Sequence, residues 1–155
     1  MTQSFTAGAT GILAGIDIQG YGYPGTPEDL IIDFYEGSNK LATTTASANE
    51  ILGAGLWSFI DFSSYNVSLE KDDIYSYKLS TTHVNTNTSG YLIHYSRNNL
   101  YSSGSLSRNG VELPDKDLFF RTSLETSSVP EPSTFSIFAL GIMGLASSRL
   151  KKKSI

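Results

Sequence analysis

The 155-residue sequence contains no cysteine, one tryptophan, two histidines and only 11 lysines and arginines. Without cysteine the chain forms no disulfide, offers no thiolate to a metal and has no cysteine nucleophile. Charged residues make up 17% of the chain and hydrophobic ones 39%, a balance too apolar for intrinsic disorder. The few cations are unevenly placed. Residues 1–129 hold 7 basic against 14 acidic side chains, a net −7, whereas Arg149, Lys151, Lys152 and Lys153 face Glu131 alone over residues 130–155, a net +3. An acidic body repels phosphates, and four cations at one end do not form a binding face, so nucleic acid is not an expected partner. The length suits one domain and a tail.

Proline is missing from every apolar run. Pro24, Pro27, Pro114, Pro130 and Pro132 all lie between or beyond those runs, as they must if the runs are strands, because proline donates no ladder hydrogen bond. No stretch before residue 126 sustains a 3.6-residue period. Asp29–Glu36 places Leu30, Ile32 and Phe34 on one face and Ile31, Asp33 and Tyr35 on the other. Glu36-Gly37-Ser38-Asn39 reads as a turn returning into Lys40–Ala46. Ile74–Ser80 alternates with Tyr75, Tyr77 and Leu79 inward. Leu56–Phe62 is almost continuously apolar, and Trp57 within it is expected in the core. With Ser4–Ala7, Ile12–Ile18, Tyr91–Tyr95, Ser105–Leu113 and Asp117–Thr122, the pattern predicts about nine strands in an all-β domain over residues 1–125, a two-sheet sandwich or jelly roll.

Beyond Glu125 the composition changes. Residues 126–133 form a polar linker containing Val129-Pro130-Glu131-Pro132, and no charge then occurs until Arg149. Residues 134–150 suit a single transmembrane helix of roughly 25 Å, short for a hydrocarbon core about 30 Å thick. Residues 151–155 form a basic cytoplasmic tail, in which Lys151, Lys152 and Lys153, with Arg149 before them, stop translocation and leave the acidic body outside. A buried core helix and an unprocessed tail anchor are the competing readings of this segment.

The order of a Val-Pro-Glu-Pro motif, a short glycine-containing apolar segment and a basic cluster resembles the PEP-CTERM protein-sorting domain of Gram-negative bacteria. The basic cluster here is lysine-dominated, whereas that family favours arginine, and Ser147 and Ser148 interrupt the apolar run. The resemblance implies that Val129, Pro130, Glu131 and Pro132 are the sorting motif read by an exosortase, a membrane-embedded processing enzyme. It also implies transit through the inner membrane to the cell surface or an exopolysaccharide matrix. Met1–Ala7 shows neither a basic n-region nor an apolar h-region, so an exported protein with this start is expected to be a truncated chain that has lost its N-terminal signal peptide. Residues 3–123 also resemble an exported bacterial jelly-roll sandwich, through Gln3-Ser4-Phe5-Thr6, Asp29–Gly37, Gly90–Ser96, Gly104-Ser105-Leu106, Asn109-Gly110 and Asp117–Thr122.

Carbohydrate binding is the functional alternative, since a sugar ring stacks on an aromatic face while amide, carboxylate or guanidinium groups bond its hydroxyls. Tyr21 and Tyr23 in one glycine-rich loop, and Tyr95, Arg97, Asn98 and Tyr101 in another, are the candidates for a polysaccharide partner. Asp72-Asp73 and Asp115/Asp117 are candidates for a structural calcium ion, but without calcium-loop spacing. No cofactor is expected. His83 and His94 lie in no nucleophile elbow or metal-binding helix motif, and the chain reads as non-enzymatic.

Overall fold

The computed structural model describes residues 1–125; the expected linker at 126–133, membrane helix at 134–150 and basic tail at 151–155 lie outside them. The described residues hold thirteen strands. These are β1 (Thr2–Thr6), β2 (Gly11–Gly22), β3 (Leu30–Glu36), β4 (Asn39–Ala46), β5 (Leu52–Asp61), β6 (Ser68–Leu69), β7 (Ile74–Ser80), β8 (Tyr91–Ile93), β9 (Tyr95–Ser96), β10 (Leu106–Arg108), β11 (Val111–Leu113), β12 (Asp117–Leu118) and β13 (Phe120–Leu124). The rest of the regular structure is two single 3₁₀ turns, Ala48–Glu50 and Ser63–Tyr65. No described helix is long and apolar enough to cross a membrane.

Six strands form one antiparallel sheet in the order β11-β10-β1-β7-β3-β4, β13-β2-β5 form a second with β6 and β8 also pairing with β2, and β9 and β12 pair as a short ribbon of their own. The all-β expectation and the sandwich-like layering hold. The alternation in β3 and β7 is realised as read: Leu30, Ile32, Phe34, Tyr75, Tyr77 and Leu79 are all buried. Opposite them lie Leu13, Ile16, Ile18, Ile60 and Phe62. Phe5, Phe34 and Tyr75 form an aromatic cluster with ring centroids 5.9–6.2 Å apart, which Phe120 joins through Phe5 at 5.7 Å and Phe62 through Phe34 at 5.8 Å.

Turn chemistry sets the registers. Glu36 faces Asn39 across the two-residue turn Gly37-Ser38, with Gly37 at φ 56°. Arg108 faces Val111 across Asn109-Gly110, whose φ angles of 52° and 78° are those of a type I′ turn. That turn divides the expected Ser105–Leu113 strand into the β10–β11 hairpin. Two more expected strands, Tyr91–Tyr95 and Asp117–Thr122, are cut at His94 and Phe119, where the Phe119 N–H donates to His94 O and the His94 N–H donates to Gln19 O. These breaks, and the short β6, raise the number of strands above the expected nine.

Trp57 is a correction. It is not in the core but half-buried on the outer face of β5, where the Arg121 guanidinium lies 3.8 Å from its ring centroid. Gly53 and Gly55, at φ 115° and 79°, bend the strand entering this run. Ser58 and Ile60 then take the inward positions, and the Ser58 hydroxyl accepts from the Leu52 N–H at 2.9 Å. Phe59, outward beside Trp57, lies over Gly15 so closely that no Cβ fits there.

Candidate functional site

Two long loops meet at one end of the sandwich: 23–29, between β2 and β3, and 81–90, between β7 and β8. They are stitched together by backbone groups. The Tyr23 N–H donates to Gly90 O at 3.0 Å. The Gly90 N–H donates to Thr26 Oγ1 at 2.7 Å, and Thr26 Oγ1 donates to Tyr23 O at 2.8 Å. Tyr91 anchors both loops. Its hydroxyl donates to Glu28 O at 2.8 Å, and its backbone exchanges two hydrogen bonds with the Asn85 amide at 3.1 and 3.2 Å. Burial, then the nearby carboxylates of Asp29, Glu28 and Glu50, holds the Tyr91 hydroxyl above its ordinary range.

Beside these loops opens a cavity of about 860 Å³, a size suited to a small ligand or a segment of a polymer. Tyr23 and Tyr95, which the sequence places in separate candidate loops, both line it. So do Asn87, Arg108 and Asn109, whose side chains make no hydrogen bond among the described residues. At its edge His83 joins the two loops. Its Nδ1 is 2.5 Å from Glu28 Oε2 and its Nε2 is 3.0 Å from Ser89 Oγ. Only 14% of the His83 side chain is exposed.

The remaining candidates are not brought here. Tyr21 rests edge-on against Tyr23, with centroids 4.9 Å apart, outside the cavity. Arg97 and Asn98 are exposed beyond β9 and do not line it. Tyr101 is structural. Its ring stands edge-on to Phe120 at 5.8 Å, its hydroxyl donates to Thr6 O at 2.7 Å and it accepts from the Thr6 N–H at 3.1 Å. The calcium candidates do not converge either, and no three His, Asp or Glu groups do so among the described residues. Asp72 and Asp73 form the turn into β7. Asp115 is exposed, whereas Asp117 is buried and accepts from Gln3 Nε2 at 3.0 Å and the Tyr101 N–H at 2.8 Å.

The tail is decided by comparison with known families. Residues 128–152 match the PEP-CTERM protein-sorting motif. The chain carries a PEP-CTERM sorting tail. The match covers Val129–Pro132, the apolar segment and Arg149–Lys152 in one span. A PEP-CTERM motif marks an exported protein that crosses the membrane and is sorted by an exosortase. No curated protein matches the chain.

Proposed function

We propose that this is a cell-surface or extracellular-matrix protein, whose β-sandwich is delivered outside and released or attached through exosortase processing of the PEP-CTERM tail. The observation that carries the reading is the match over residues 128–152, adjoining a folded acidic body. Pro130 and Pro132 favour extended backbone and disfavour helix at the residues before them, which suits a segment that an enzyme must grip. Mass spectrometry of the mature protein from its host tests this. The expected C-terminus lies near Pro130–Pro132, and an intact chain retaining Lys151–Lys153 in the soluble fraction would overturn it.

One observation favours a more specific role, binding of matrix polysaccharide. Tyr23 and Tyr95 line the same cavity as Asn87, Asn109 and Arg108, which combines faces for sugar rings with donors for hydroxyls. Affinity electrophoresis through gels containing the host exopolysaccharide is expected to retard the protein. Tyr95→Ala, at an exposed position, is expected to abolish the retardation without loss of stability, and equal mobility of the two proteins at all polysaccharide concentrations would sink the role.

A further inference from the structure

We infer that Ser89, His83 and Glu28 form an acyl-transfer site, with an O-acyl ester carried by a saccharide as the substrate class. The ester's saccharide part rests on the carbohydrate reading of the cavity; the nucleophile does not. The inference comes from counting protons around the Thr86–Ser89 turn. Thr86 Oγ1 accepts from the Ser89 N–H at 3.1 Å and from the Thr88 N–H at 3.3 Å, which occupies both its lone pairs. Its own proton therefore goes to Ser89 Oγ, 2.7 Å away. Ser89 then donates to His83 Nε2 at 3.0 Å. A neutral His83 that accepts at Nε2 carries its proton on Nδ1, and that proton is donated to Glu28 Oε2 at 2.5 Å. The network thus selects the tautomer a general base needs: a bare nitrogen facing a serine hydroxyl, with a carboxylate behind the ring.

In the reaction the Ser89 oxygen bonds to the ester carbonyl carbon while its proton moves to Nε2. The C–O bond to the sugar breaks, and the departing alkoxide takes that proton. Water then attacks the acyl-serine with His83 as base again, releasing the acid and restoring the hydroxyl. Glu28 touches no reacting atom and is a positioning residue. The N–H following the nucleophile, that of Gly90, is already bonded to Thr26, so an oxyanion donor has to come from the side chains that line the cavity, among them the Asn87 amide. A site lacking one such donor loses roughly 10²–10³ in rate, so it suits an ester, a more reactive acyl donor than an amide, and turns over slowly.

The test uses the full chain in mild detergent. It is treated with a fluorophosphonate probe and, separately, with p-nitrophenyl acetate, and the modified residue is located by peptide mass spectrometry. Ser89 is expected to be labelled above all other serines. Ser89→Ala is expected to abolish the label. His83→Gln, which keeps a polar bridge between the loops, is expected to slow it roughly 100-fold or more. Glu28→Gln keeps an acceptor but removes the charge behind the ring and is expected to slow the labelling, and Glu28→Asp is expected to restore part of the rate. Labelling of Ser89 no faster than of other exposed serines, or unchanged in His83→Gln, overturns the site. Polysaccharide retardation measured on Ser89→Ala reports separately on binding, so either reading can fail alone.

Discussion

Tyr77 shows what a single buried atom contributes. Its hydroxyl lies in the core without a hydrogen-bond partner among the described residues, and burial, followed by the charge of Asp117, pushes its pKa well above the ordinary range. An unpaired buried donor costs free energy, so Tyr77→Phe is expected to leave stability unchanged or raise it by about 1 kcal/mol in chemical denaturation. Asp117 is the reverse case. Asp117→Ala would leave the Tyr101 N–H without its acceptor and Gln3 Nε2 with Ser4 O alone, and a loss of about 1–3 kcal/mol is expected by the same measurement. Asp33 contributes through pH. Burial tends to raise its pKa, but hydrogen bonds from Thr43 and Lys40, the charge of Lys40 and the Tyr35 hydroxyl outweigh it and hold the carboxyl below its ordinary value. A group depressed in the folded state stabilises above its unfolded pKa, and that stabilisation disappears as pH falls through the folded value. Asp33→Asn is therefore expected to flatten the stability profile below about pH 4.

Among the elements, the β10–β11 hairpin depends on a backbone that side chains resist. Gly110 sits at φ 78° with open space around it, so Gly110→Ala is expected to cost about 1–2 kcal/mol from backbone conformation alone, seen as a lower denaturation midpoint. Gly37-Ser38 and the period-two pattern in β3 and β7 are local and legible in the sequence, whereas the equally local Asn109-Gly110 turn lay hidden inside the expected Ser105–Leu113 strand. The placement of Trp57 was not legible either. In a run where nearly every residue is apolar, alternation carries no phase, and the phase was set by two glycines whose positive φ angles are a property of the folded backbone. The breaks at His94 and Phe119 were hidden for a related reason: each answers to a partner in another strand, through hydrogen bonds to Gln19 and between the two sites themselves. The cavity was half-legible. Tyr23 and Tyr95 belong to residue types that suit it, but Glu28 and His83 are 55 positions apart, and only the pairing of β3 with β7 brings their loops together.

For the whole molecule, the division between an acidic body and a basic tail is a property of the sequence, and the matched motif lies wholly on the tail side of Glu125. Replacing Pro130 and Pro132 together by alanine is expected to block processing and leave the uncut precursor in the membrane fraction on immunoblots, with the body still folded. The junction also has a mechanical side. The chain leaves the sandwich from β13, an edge strand hydrogen-bonded along its length to β2 alone, with the Glu125 N–H closing the ladder on Ile12 O. A force applied at Glu125 across the strands would open that ladder one rung at a time from Leu124 inward. Under such a load the sandwich would unzip from this corner first, and the strand that supports Phe120 beside the aromatic core would be the first to peel away.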